Sequence, residues 1–170
     1  MANRRRKQQR QGSPPGDGAN DGTSGGGGGG EVVYEGTKLR IEYAMTNDDD
    51  RACRAKDYLE ALRTGTQEEQ VRYGKLLALI RLVGDHHPVS NKKKFKQLPG
   101  VVANCGPKGA AKKQCFELKS YQDRVGGYFP GGTTGVFVLA HGFQKQKDRW
   151  PKSEIDSLKD QVIEDYDCRF

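Results

Sequence analysis

Apolar and polar residues alternate between Val32 and Ala44. Leu39, Ile41 and Tyr43 stand among Lys38, Arg40 and Glu42, the period of two that a half-buried strand requires. The period then lengthens. Residues 47–50, Asn-Asp-Asp-Asp, offer helix-capping side chains and negative charge for a helix start, and Ala52, Ala55, Tyr58, Leu59 and Leu62 share one face of the helix that follows. Thr64-Gly65-Thr66 interrupts it, with Gly65 the expected C-cap. Thr66 and Glu69 have capping-box spacing, and Val71, Leu76, Leu77, Ile80 and Val83 carry a second helix to about His86, where Pro88 stops it. Helices joined by so short a break are expected to pair and to cover a sheet.

From 88 to 113 the pattern is weaker and reads as a basic loop around a short apolar segment, Phe95 to Val102, with an exposed tip at Gly106 to Lys113. Three strands are expected next: Gln114–Ser120, Arg124–Phe129 and Thr134–His141, the last two joined through Gly131-Gly132. Gly126-Gly127 inside the middle strand predicts a bulge or a close backbone approach. Pro151 opens a final helix whose core face is Ile155, Leu158, Val162 and Tyr166. The expected order is β-α-α-β-β-β-α, an α+β fold with a small, mostly antiparallel sheet. No internal repeat is found.

Composition changes this picture at the start of the chain. Residues 1–30 hold no large apolar side chain apart from Met1, and they contain Arg4-Arg5-Arg6-Lys7 and the glycine run Gly25–Gly30. Such a segment buries nothing to offset the entropy of ordering glycine, so it reads as a disordered tail and linker, with 31–170 as one domain. Its basic patch suits a solubility tail, with nuclear import or a nucleic-acid tether as alternatives. It shows no apolar signal core, and the chain has no run long enough to span a bilayer, so the expected setting is the cytoplasm with reduced thiols. Cys53, Cys105, Cys115 and Cys168 form no metal-ligand spacing, and Gly25–Gly30 lacks the lysine of a phosphate-binding loop. No cofactor is expected.

Charge is uneven within the net +7. Lys92, Lys93, Lys94, Lys96, Lys112 and Lys113 precede an acidic last helix carrying Glu154, Asp156, Asp160, Glu164, Asp165 and Asp167. Either the lysines form a solvated surface, or one face meets a polyanion.

A series of short motifs carries a family likeness. These are Lys75-Leu76-Leu77-Ala78-Leu79-Ile80-Arg81, Phe95-Lys96-Gln97-Leu98, Phe116-Glu117-Leu118-Lys119, Arg124-Val125, Val138-Leu139-Ala140-His141-Gly142-Phe143 leading to Lys145, and Pro151 with Glu154-Ile155. In this order they resemble the RelE/ParE toxin superfamily, closest to its HigB-like, phage-derived branch, over about residues 55–166. The likeness implies a RelE-like fold. It also implies a toxin of a type II toxin–antitoxin pair that cuts mRNA on the ribosome without a metal, silenced by a cognate antitoxin that in this branch often carries a helix-turn-helix domain. The ParE branch instead poisons DNA gyrase, so a protein-binding toxin and an inactive nucleic-acid-binding relative stay as alternatives.

Metal-free RNA cleavage needs a base for the ribose 2′-OH, cations for the phosphorane and an acid for the leaving oxygen. On the family's pattern Arg124 is the cation, a role that arginine's permanent charge and bidentate geometry suit. Its alternative is an ion pair with Asp123 or an acid of the last helix. Lys119 and Lys145 either shuttle a proton or bind phosphate. His141 titrates in the right range for acid–base work but follows an apolar strand, where a hydrogen-bonded, semi-buried histidine is the competing expectation. Lys92, Lys93, Lys94, Lys96, Lys112, Lys113 and Lys147 are the expected nucleic-acid contacts.

Overall fold

The computed structural model describes residues 29–48, 51–132, 135–146 and 149–170. The tail expected over residues 1–30 lies almost wholly outside them, as does Lys147. The chain forms β1 (Val32–Glu35), β2 (Leu39–Tyr43), α1 (Arg54–Thr64), α2 (Gln67–His86), β3 (Phe95–Cys105), β4 (Ala111–Ser120), β5 (Asp123–Tyr128), β6 (Gly135–Gln144) and α3 (Lys152–Arg169). The class is α+β. Its single six-stranded sheet has the order β1-β2-β6-β5-β4-β3, and only β2 and β6 run parallel.

Two expectations about strands are corrected. The extended run from Val32 to Ala44 is a hairpin, because Gly36 and Thr37 turn the chain. The Gly36 amide bonds Leu39 O at 3.1 Å, and a side chain at Gly36 would collide with the backbone of Gly84. The basic loop of 88–113 is in large part the edge strand β3, paired antiparallel to β4, which itself begins at Ala111. A register shift between Gln97 and Val102 breaks the alternation there, so the buried positions Phe95, Leu98, Val101, Ala103 and Cys105 do not follow a strict period of two.

The helix starts show local chemistry clearly. Thr66 and Glu69 form the expected reciprocal capping box on α2. Helix α1 begins later than the acidic run implies, at a cap where Cys53 Sγ accepts from the Lys56 amide. Asp49 and Asp50 lie outside the described residues. On α2 the core face is Leu76, Leu79, Ile80 and Val83, whereas Val71, expected inside, is 50% exposed.

Helices α1 and α2 cover one face of the sheet and α3 the other. The first face closes over an aromatic cluster of Phe95, Phe116, Phe129 and Phe137. On the second, Leu158 and Val162 of α3 are fully buried. The C-terminal end of α3 is fastened by a buried polar group. Asp165 accepts from Tyr128 Oη and from the Met45 amide, both at 2.6 Å, and Arg169 reaches both Asp165 and Glu42 at 2.7 Å. Every charge in this group has a partner, which is the condition for burying it.

Candidate functional site

Residues directly opposite one another in a sheet share a face, so the register assembles the site. One row crosses four strands as Lys96, Glu117, Gly126 and His141. The next row toward the β4–β5 turn is Lys119, Arg124 and Phe143. Both lie on the face covered by the start of α3.

The first row is sealed. Trp150 donates Nε1–H to Glu117 Oε2 at 2.7 Å and packs edge-on against Phe143, ring centroids 4.7 Å apart. Its indole and the Leu158 methyls lie over Gly126, where a β-carbon would come within 2.8 Å of each. That approach gives Gly126 its reason, since the missing side chain leaves room for the helix; the register shift beside it places the extra, bulged residue, Ala140, on the facing strand β6. At the end of the row His141 Nε2 sits 2.5 Å from Glu154 Oε2 in the first turn of α3. Burial holds the His141 imidazole below its ordinary pKa, and the Glu154 carboxylate opposes that only in part. The neutral ring then donates from Nε2, leaving Nδ1 buried without a hydrogen-bond partner.

Arg124 is 3% exposed. Its Nη1 donates to Tyr121 O at 2.6 Å and Asp123 O at 2.9 Å, and its Nε lies 3.6 Å from Glu117 Oε2. Burial lowers the guanidinium pKa, while Glu117 and Asp123 act to raise it. Its carboxylate partner is Glu117 of β4. Asp123, expected as the alternative partner, meets Arg124 only through its backbone oxygen, and its carboxylate takes Tyr58 Oη at 2.5 Å and Arg72 on the opposite face.

Lys119 is half-buried beside Arg124, and its amide bonds Lys94 O at 2.7 Å, joining β4 to the turn that precedes β3. Lys145 follows β6, and its amide bonds Gln122 O at 2.7 Å, so it stands against the β4–β5 turn at the same end. Three of the four expected catalytic positions thus gather near this turn: Lys119, Arg124 and Lys145. His141 lies one row inward, under α3.

The expected nucleic-acid contacts divide. Lys92, Lys93 and Lys94 are exposed in the turn before β3, close to Lys119. Lys96 reaches Glu117 at 3.2 Å. Lys112 and Lys113 lie seven and six residues back along β4 from Lys119, roughly 20 Å away at about 3.3 Å per residue. Lys113 is engaged there, with Nζ 2.6 Å from Pro130 O and over the Tyr166 ring. The lysines therefore form two separate groups.

The sequence reading gave no role to Glu117, Glu154 or Arg72. The signal for Glu117 was present, since an acid between Cys115 and Lys119 on an alternating strand points into a packed face and needs a partner. Burial pushes the Cys115 thiol up to about 12 and the Cys105 thiol up to about 11, away from the thiolate form that a nucleophile needs. Among the described residues, no group of His, Cys, Asp and Glu could hold a metal ion, and no helix is long and apolar enough to cross a membrane. A scan against models of known protein families finds no match, and a search of curated proteins finds none either.

Proposed function

We propose that this chain is a toxin of the RelE-like fold and HigB-like branch that cleaves mRNA on the ribosome, and that a cognate antitoxin with a helix-turn-helix domain restrains it in the cytoplasm. The observation that carries this is the adjacency of Lys119 and Arg124 in one cross-strand row, with Lys145 and Lys92–Lys94 at the same end of the sheet. A phosphodiester lying over that end meets Lys119 directly and Arg124 as a fixed charge beneath it. Together they offset the negative charge that builds on the phosphorane as the 2′-OH attacks. In this reading Lys145, at the same end of the sheet, accepts or returns the proton.

One observation favours a second reading, in which the protein acts by binding and has no nuclease chemistry. Arg124 is buried and already engaged by Glu117 and two carbonyls, the ordinary setting of a structural arginine.

The test is to express the wild type, Lys119→Ala and Arg124→Ala in bacteria and map mRNA 5′ ends by primer extension, with thermal melts of each purified protein. The nuclease reading expects new cuts within translated regions, lost in Lys119→Ala while its melt is unchanged. Growth arrest without cuts would establish the binding reading, and neither arrest nor cuts would leave the chain without toxin activity.

A further inference from the structure

The outer face of α2 is poorly suited to water. Val71, Gly74, Ala78 and Leu82 fall within one stripe at 100° per residue, and Val71 and Leu82 stay 50% and 36% exposed. Tyr121, on the turn between β4 and β5, is 76% exposed and lies beside this stripe, with Lys75 Nζ 4.4 Å from its ring centroid. Of the five large hydrophobic side chains exposed among the described residues, these three gather at one place. Between them runs a groove of about 590 Å³, floored by Ala78, Leu79 and Leu82 and edged by Lys75, Lys93 and Lys94, with Lys119 at one side. A smaller hollow of about 270 Å³ continues it past Val71, sharing Lys75 and Tyr121.

Gly74 adds an independent mark. Glycine weakens a helix interior relative to alanine, and the other glycine of α2, Gly84, has a neighbour that demands it. At Gly84 a β-carbon would come within 2.8 Å of the Tyr34 ring, whereas at Gly74 it would meet nothing within 4 Å. Nothing inside the fold explains Gly74. A second backbone passing close over the stripe would.

We propose that the outer face of α2, with Tyr121, is the docking surface for an acidic amphipathic helix of a partner protein, about three turns long. Apolar residues at helical spacing, with small ones at 74 and 78, accept the ridge of a crossing helix. The stripe from 71 to 82 spans about three turns, which sets the length. Four lysines edge the groove, and the acids nearby offer little opposition: Asp123 is taken by Arg72 and Tyr58, leaving Glu68 at the far end. An apolar floor with an aromatic anchor inside a charged rim is the anatomy of a protein interface. A nucleic acid would gain nothing from the aliphatic floor, and Lys75 already covers part of the Tyr121 ring. The surface stands whether or not the protein cleaves RNA.

Fluorescence anisotropy on the full chain tests it. The probes are a labelled 18-residue helical peptide with leucines along one face and glutamates on its flanks, a scrambled peptide of the same composition, and a labelled 12-nucleotide single-stranded RNA. The acidic helix is expected to bind at least tenfold more tightly than the scrambled one. Leu82→Gln and Tyr121→Ala are each expected to weaken it at least fivefold, with melting temperatures within a few degrees of wild type. Gly74→Ala is expected to raise the melting temperature and still weaken the peptide, an outcome that loss of folding cannot imitate. Equal binding of the two peptides would overturn the proposal, as would indifference of the helical peptide to Leu82→Gln. It would also be overturned if these substitutions impaired RNA binding instead.

Discussion

Glu117→Gln removes one charge and almost no volume, and its effect should be large. Glu117 is 4% exposed and has three partners: Trp150 Nε1 at 2.7 Å, Lys96 Nζ at 3.2 Å and Arg124 Nε at 3.6 Å. Glutamine can still accept from Trp150. Lys96 is 47% exposed, so its pairing is worth under about 1 kcal/mol. The Arg124 pair decides the outcome. Two unit charges at that separation attract by about 5 kcal/mol at an effective dielectric of about 20. An amide costs less to bury than a carboxylate, and Arg124 keeps its two carbonyl bonds, so part of this is recovered. Stranding one member of a buried pair costs about 3–5 kcal/mol, and with that recovery we expect a loss of about 2–4 kcal/mol.

Urea unfolding followed by the fluorescence of Trp150, the chain's single tryptophan, measures this directly, because the probe touches the altered residue. Adding Arg124→Met removes the stranded charge, so the double variant should be less destabilised than the sum of the singles by at least about 1 kcal/mol. A loss below about 0.5 kcal/mol in Glu117→Gln, or strict additivity in the cycle, would refute the claim that Glu117 and Arg124 act as one buried pair.

His141 has its pKa lowered by burial, so between its folded value and the ordinary 6.5 the unfolded chain holds a proton that the folded protein lacks. Its contribution to stability is therefore complete above about 6.5 and is lost as pH falls from there toward the folded pKa. Melting temperatures from pH 7.5 to 5 should fall more steeply for wild type than for His141→Phe, and NMR titration should place the ring's midpoint below 6.5; a midpoint above it would sink this reasoning. Gly126→Ala sets a methyl 2.8 Å from both Trp150 and Leu158, and overpacking of this kind costs about 1–3 kcal/mol. It should also shift Trp150 emission to the red as the indole lifts from Glu117, and an unchanged spectrum with unchanged stability would refute the close approach.

What the sequence made legible was local. The Thr66–Glu69 box depends on four consecutive residues, so reading it required no tertiary knowledge. Gly126-Gly127 was legible for the same reason, since a glycine pair in a strand needs either a bulge or a neighbour; here Trp150 and Leu158 lie over Gly126, and the bulge falls opposite, at Ala140 of β6. The strand β3 was hidden because Lys92, Lys93, Lys94 and Lys96 surround its start, and because Pro99-Gly100 and the register shift spoil its alternation. An edge strand is where such residues are tolerated. Helix α1 starts after the acidic run 47–50 because the chain must first leave β2 and cross to the helix layer. In the candidate site the cations were legible as residue types, but their partners were not. Glu117 meets Trp150 across 33 residues and His141 meets Glu154 across 13, and no periodicity encodes either contact.

Those partners limit what the site can do. Gly126, with no side chain, lets α3 start close to the sheet, so Trp150 and Glu154 close over the row from Glu117 to His141. An imidazole that is 6% exposed, with Nε2 committed to Glu154, is poorly placed to exchange protons with a ribose outside. Its better use is to fix the first turn of α3, which in turn fixes Trp150 on Glu117. The half-buried Lys119 lies at the other end of the face, next to the exposed Lys92–Lys94 and the Tyr121 turn. On the proposed function, chemistry on a polyanion falls to Lys119 and Lys145 at this open end, with Arg124 as the charge beneath. His141 and Glu117 serve by holding the floor in place. Substitutions at the open end should change activity without changing the melt, and those in the sealed row should change both together.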